Sequence, residues 1–277
     1  MTVSRDRILP RDEPIASTTL AQVFESESIN LHYNVRAESV WQEGDEVHLM
    51  AGENELVGDS LLIATGRRPN VEGLELEKAG VAYSAKGIQV NDNLRTSQRH
   101  IYAAGDCIGS YQFTHYAGWQ GFMAVRNALF PGASKAVTNF VPWTTFTDPE
   151  VAHVGFTEDQ ARKIYDDSVM TRVWSMDKVD RAKTDNSVVG FIRLVYRKNG
   201  TLLGATIVSK RAGEAIQEWI LALDYGLTIN DVANSIHVYP TYSTANMQLA
   251  AEVSASRLLS GVYGRIIRGT MRLMLSL

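Results

Sequence analysis

The chain has 277 residues, 45% of them apolar and 21% charged, a balance that fits a soluble globular protein of about two domains with a sizeable core. Its formal charge of −4 argues against nucleic acid as the main partner. Cys107 is the single cysteine, which excludes an internal disulfide, a C-x-x-C redox pair and a cysteine-built zinc site, so no metal centre is expected.

Residues 17–27 (STTLAQVFESE) read as a short helix with Ser17 or Thr18 as its N-cap. Runs rich in β-branched and aromatic residues follow at 29–33, 35–41 and 46–50, and Gly44-Asp45 marks a hairpin turn between the last two. Residues 60–64 (SLLIA) form a nearly continuous apolar run, the pattern of a strand buried on both faces of a parallel sheet. Gly66 and Pro69 end that strand, and further strands are predicted at 88–90 and 101–104. A helix over 115–129 is stopped by Pro131-Gly132, the preferred domain boundary. Beyond it, strands are predicted at 151–154, 169–174, 190–196 and 202–208, with Asn199-Gly200 turning the last two into a hairpin. A helix over 212–225 carries Ile216, Ile220 and Leu223 on one stripe and Gly226 as its C-cap. This order of strands and then helices predicts an α+β domain over about 137–277.

The segment IYAAGDC (residues 101–107) places a carboxylate, Asp106, at the carboxyl end of a predicted strand. Nucleotide ligands sit at that edge of open α/β sheets. Gly105 permits close approach of a ligand, and an acceptor-only carboxylate can hold a sugar or ribityl hydroxyl. A bare Gly-Asp pair is more often an ordinary strand-end turn.

With LLIATGRRPN (61–70) upstream, this segment resembles the class I pyridine nucleotide-disulfide oxidoreductases, in the branch holding mercuric reductase and dihydrolipoamide dehydrogenase. The resemblance continues, in the family's own order, through FTDPEVAHVGFTE (146–158), VDRAKTD (179–185), GEAIQEW (213–219) and SIHVYPTYSTAN (235–246). It implies a partial FAD/NAD(P)-binding Rossmann-type region of α/β class followed by an α+β dimerisation domain. It further implies that Asp106 binds the ribityl chain of FAD beside Gly105, and that the segment holding Phe113, Thr114 and His115 presents helix N-terminal amides to the flavin ring. Gly66 matches a turn near the cofactor, mainly structural with one backbone contact.

Three departures from the family pattern accompany it. None of the 21 glycines stands two residues from another, so both G-x-G-x-x-G dinucleotide loops are absent, as is the C-x4-C redox pair. Where the family's disulfide reductases carry His-Pro-Thr-x-x-Glu, this chain has Tyr239-Pro240-Thr241-Tyr242-Ser243-Thr244. Tyrosine is a weaker proton shuttle than histidine at neutral pH, so Tyr239 and the nearby His237 are the catalytic candidates, and lipoamide or glutathione reduction is disfavoured. The chain also ends without the vicinal cysteine pair typical of mercuric reductases.

The resulting expectation is the C-terminal portion of an FAD-dependent NAD(P)H oxidoreductase. Residues 1–72 would form the second half of the nicotinamide domain, 73–136 the FAD-contacting segment and 137–277 the homodimer domain. The alternatives are a non-catalytic dimerisation module, paired with a chain carrying the N-terminal domains, or a truncated gene product. No secretory signal follows Met1, so a cytoplasmic location is expected. Arg265, Arg268 and Arg272 share one helical face in the apolar stretch 258–277, where a dimer-edge helix is favoured over contact with an anionic membrane surface.

Overall fold

A computed structural model describes residues 1–138, 140–260 and Gly264. The chain divides into two compact units, Met1–Ser60 together with Pro142–Leu277, and Leu61–Val141.

The first segment opens with β1 (Thr2–Val3) and α1 (Pro14–Ser26), and β1 pairs in parallel with β2 (His32–Tyr33). The helix starts three residues before the expected Ser17: Glu13 is the N-cap, and Pro14 supplies a preset φ at the first position. Ser17 and Thr18 therefore lie inside the helix. Their hydroxyls donate to Ile8 O (2.7 Å) and Pro14 O (3.1 Å) instead of capping. β3 (Ala37–Glu43), β4 (Glu46–Ala51) and β5 (Asn54–Gly58) form an antiparallel meander, with Glu43 opposite Glu46 across the expected Gly44-Asp45 turn.

Unit Leu61–Val141 holds few regular elements. Residues 60–64 are not a buried strand: no strand among the described residues pairs with them, and Leu62 and Ile63 are 88% and 72% exposed. An apolar run becomes a buried strand only where a neighbouring strand takes its N–H and C=O groups. β6 (Tyr83–Ser84) pairs with β7 (Gly87–Ile88), so the predicted strand at 88–90 is displaced towards Gly87. The predicted strand at 101–104 reduces to a single bridge, Arg95 to Tyr102, because this stretch is held by loop contacts such as Ala103 N–H to Leu94 O (3.1 Å). α2 (Thr114–Leu129) forms where expected.

From Pro142 onward the chain builds a five-stranded antiparallel sheet. Its strands are β8 (Trp143–Thr145), β9 (Glu150–Gly155), β10 (Val169–Ser175), β11 (Phe191–Arg197) and β12 (Leu202–Ser209), in the order β10-β11-β12-β9-β8. Between β9 and β10 lies α3 (Glu158–Tyr165), and α4 (Asp180–Thr184) precedes β11. Alternate residues face two layers. Ala152, Ile192, Leu194 and Ile207 pack with α5 (Ala212–Ala215), α6 (Gln217–Asp224), α7 (Ile229–Asn234) and α8 (Thr244–Ser260). Val151, Phe191 and Val208 pack with Ile8, Ala16 and Leu20 of the first segment. The helix expected over 212–225 is divided at Ile216, whose carbonyl accepts both Trp219 N–H (3.0 Å) and Ile220 N–H (3.1 Å). Edge strand β8 has three residues, while the other edge, β10, is tied to α8 through Arg172 and Glu252 (2.7 Å).

A polar seam joins the first segment to this sheet. Trp143 Nε1–H donates to the Asp12 carboxylate (2.9 Å), and the Trp143 ring lies 4.5 Å from the His153 ring. His153 Nδ1 is 2.8 Å from Thr206 Oγ1, and its Nε2 is 3.0 Å from Gly155 O. Burial pushes the Asp12 carboxyl up to about 6, although Trp143, Arg11 and Arg7 oppose it. Burial lowers His153 to about 4, so the imidazole is neutral near pH 7. Beside them Glu13, 2% exposed, accepts Glu158 N–H (2.7 Å) and faces Arg193, which pairs with the Glu158 carboxylate.

No helix among the described residues is long and apolar enough to cross a membrane. Arg265, Arg268 and Arg272, with the membrane-surface expectation for 258–277 that rests on them, lie outside the described residues.

Candidate functional site

Gly105–Ile108 forms one turn of 3-10 helix, entered through extended Ala104. Gly105 has φ +78°, and a Cβ there would lie 2.9 Å from Ala117 Cβ, so glycine lets the turn press onto α2. Asp106 projects from this turn, exposed, and its carboxylate makes no hydrogen bond to another of the described residues. Gly66, at φ +129°, precedes Arg67, whose guanidinium donates to Gln112 O (2.9 Å). That bond brings the 66–67 turn to the loop leading into α2. Gly66, Gly105, Asp106, Phe113, Thr114 and His115 thus fall within one compact unit.

Phe113 is the N-cap residue of α2, in extended conformation and without a side-chain cap bond. Its ring stacks on His115 (5.3 Å between centroids), and Tyr111 stacks on Phe113 (6.2 Å) and meets Tyr116 edge-on (6.1 Å). An aromatic collar therefore surrounds the positive end of the helix dipole. Cys107 is half-buried against the cluster of Leu76, Val81, Ile88 and Ala103, and its thiol donates to Ala104 O (3.3 Å), as a small packing residue would.

Two features of this region go beyond the sequence expectation. The aromatic collar is assembled by spacing around one turn of helix. Gln120, fully buried, accepts Gly105 N–H through Oε1 (2.9 Å), while its Nε2 has no partner among the described residues. A buried donor left without a partner costs about 1–3 kcal/mol. Its sequence signal is slight: a glutamine between Trp119 and Gly121 on a helix that reads as amphipathic.

Tyr239 and His237 lie in the other unit, on the loop before α8. Tyr239 is 65% exposed, and its hydroxyl donates to Asp180 Oδ2 (3.0 Å). That hydrogen bond raises the phenol above its ordinary value, so the group stays protonated at neutral pH. His237 points inward: Nε2 is 2.6 Å from Glu218 Oε1 and Nδ1 is 3.0 Å from Ser235 O. Glu218 Oε2 accepts from Asn246 Nδ2 (2.8 Å), and Asn246 Oδ1 accepts from Trp219 Nε1 (2.7 Å). A histidine–glutamate pair is therefore present, built from α6 instead of the position five residues beyond the tyrosine. Its glutamate sits within the GEAIQEW run, where it reads as a solvent-facing helix residue.

The chain matches the family model for pyridine nucleotide-disulphide oxidoreductases over residues 2–121, and the model for their dimerisation domain over 141–250. It belongs to that family. A mercuric reductase of Staphylococcus aureus is 37% identical over 253 residues, covering 89% of this chain and 46% of the relative. A dihydrolipoyl dehydrogenase of Thermus scotoductus is 35% identical over 253 residues, with 88% and 54% covered. Among solved structures, LpdA from Mycobacterium tuberculosis superposes with a TM-score of 0.84 at 29% identity, covering 91% of this chain and 55% of that one. The HOCl-induced flavoprotein disulfide reductase RclA from Escherichia coli gives 0.84 at 26% identity, with 90% and 58% covered. The chain thus spans about half the length of the curated relatives it matches. Its fold is the expected one, a dinucleotide-binding-type region followed by an α+β dimerisation domain. The family's use of FAD and pyridine nucleotides suits the residues at the 105–115 turn: a glycine cradle, an unspent carboxylate and an uncapped helix start.

Proposed function

We propose that the chain supplies the flavin contacts and the homodimer surface of an FAD-dependent NAD(P)H oxidoreductase. The observation that carries this reading is the Asp106 carboxylate, unbonded among the described residues and set beside the glycine cradle near the uncapped start of α2. Asp106 would accept ribityl hydroxyls, Gly105 would admit the chain of the cofactor, and the amides at Phe113, Thr114 and His115 would face the electron-rich edge of the ring. Gly66 would contribute a backbone contact beside Arg67. Bound FAD supplies hydride acceptance from NAD(P)H and onward electron transfer to a disulfide or other acceptor.

Residues 137–277 would form the homodimer. His237, with both ring nitrogens against acceptors, would hold the loop, and the protonated Tyr239 hydroxyl would be the group offered to a substrate. Neither G-x-G-x-x-G loop is present in the 277 residues, so turnover by the isolated chain is expected to be weak.

FAD titration followed by flavin fluorescence tests the site. The wild-type chain is expected to bind, and D106A to bind about tenfold more weakly, the scale of one hydrogen bond to a charged group. Equal affinity of the two proteins would sink the assignment. Rapid NAD(P)H oxidation by the pure chain would refute the expectation of weak turnover.

One observation favours a second reading, a non-catalytic dimerisation module acting with a chain that carries the dinucleotide loops. The loop before α8 presents Ile236, Val238 and Tyr239 at 100%, 78% and 65% exposure, an apolar tip suited to another protein surface. Sedimentation velocity that shows only monomer at high concentration would remove both the dimer and this reading.

A further inference from the structure

We infer that Gln120 is a positioning residue that holds the Asp106 turn in register with the start of α2. This rests on the flavin reading proposed above and adds to it a residue that touches neither the ribityl chain nor the ring.

Two parts of that site come from separate stretches of chain. Asp106 stands on the Gly105–Ile108 turn, and Phe113–His115 stand at the beginning of α2. The loop between them turns at Gly109, φ +70°, and is held from outside by Arg67, which donates to Gln112 O (2.9 Å). A direct tie between the two parts lies underneath. Gln120 is six residues past Thr114 on α2 and 0% exposed, and its Oε1 accepts the N–H of Gly105, the residue before Asp106, at 2.9 Å. Ala117, one helical turn earlier, sits where a Gly105 Cβ would come within 2.9 Å of it, so the turn is seated on the helix at two successive levels. The hydrogen bond sets height along the helix axis and the close packing sets distance from it.

The unpartnered Nε2 supports a specific purpose for the amide. A leucine or methionine would fill this buried place without an unsatisfied side-chain amide, but it would strand the buried Gly105 N–H, so plain packing does not account for glutamine here. The acceptor for Gly105 N–H is what an apolar side chain lacks. A glutamate keeps that acceptor, and this separates the acceptor from the volume of the side chain.

The test compares wild type, Q120E, Q120M and Q120L in the full chain. Amide hydrogen exchange is read at Gly105 and FAD affinity by fluorescence titration, with circular dichroism to establish folding. Q120M and Q120L are expected to exchange Gly105 about tenfold faster and to bind FAD about tenfold more weakly, the loss of one hydrogen bond. Q120E should stay within about threefold of wild type in both, since it retains the acceptor. Two apolar variants guard against one failing to fold. Unchanged Gly105 exchange in a folded apolar variant overturns the inference. So does faster exchange with undiminished FAD affinity, or a Q120E protein as impaired as Q120M. If wild type itself fails to bind FAD, the flavin reading falls, and Gly105 exchange alone then decides whether Gln120 sets the turn.

Discussion

The sheet-containing unit and the Leu61–Val141 unit are held together by different physics. In the first, β12 is buried along its whole length, and the apolar cluster runs from Ala152 through Trp219 to Val253. In the second, the buried apolar groups are small, such as Leu76, Val81, Ile88 and Ala103, and polar ties span the loops between them. Asn127 makes three such ties, its Nδ2 donating to Asn93 O (3.2 Å) and Ser134 O (2.8 Å) and its Oδ1 accepting Ser134 N–H (2.8 Å). The contrast teaches that an apolar run reports a strand only when partner strands are at hand. VAHV at 151–154 and LLIA at 61–64 look alike in sequence, yet one is fully buried and the other solvent-exposed.

The sharpest way to break this comparison is to remove apolar volume from the sheet unit. W219A should lose about 3–5 kcal/mol in chemical denaturation, because a fully buried ring and its bond to Asn246 disappear together. A loss under about 1 kcal/mol would show that packing does not govern this unit.

The seam between Asp12 and His153 sharpens the comparison through pH. Asp12 has its folded value raised, so its contribution is full below about 3.8 and is lost as pH rises through about 6. His153 has its folded value lowered, so its contribution is full above 6.5 and is lost as pH falls through about 4. Each amounts to about 3 kcal/mol, and the two slopes oppose each other between pH 4 and 6. D12N should therefore show a steeper acid loss of stability than wild type over that window. Identical slopes in urea titrations at stepped pH would remove the buried seam as their cause.

In the loop-rich unit, N127A should cost about 1–3 kcal/mol by stranding Ser134 N–H and its neighbours, with little change in buried apolar area. Hydrogen exchange confined to residues near 93 and 134 would locate the effect. At the small end, L62S should stay within about 0.5 kcal/mol of wild type, since Leu62 is 88% exposed. A clear destabilisation would mean that the 60–64 run is covered after all.

The sheet domain is legible in the sequence because its strands pair with one another: the runs at 151–154, 169–174, 190–196 and 202–208 and the Asn199-Gly200 hairpin find their expected places, while the C-cap expected at Gly226 falls on Tyr225, with Gly226 following at φ +65°. α1 begins earlier than its hydroxyl residues suggest because Pro14 opens it. Asp106 can be singled out from the Gly-Asp turn, whereas Gln120 and Glu218 cannot. Each works through a partner distant in sequence, Gly105 at 15 residues and His237 at 19, and no local pattern marks such a bond. Those two bonds are where periodicity stops informing and tertiary geometry begins.

The edges of the five-stranded sheet bear on how this protein fails when stressed. One edge is only three residues long, and the other, the seven-residue β10, carries Arg172 bound to Glu252 of α8, the kind of charged edge residue that discourages pairing with a neighbouring molecule. Leu61-Leu62-Ile63 is the opposite: exposed, apolar and without a strand partner among the described residues. On heating or at high concentration, amyloid-like stacking should therefore nucleate at 60–64 and not at the edges of the sheet. A lysine within that short stretch would act as a gatekeeper for the whole chain.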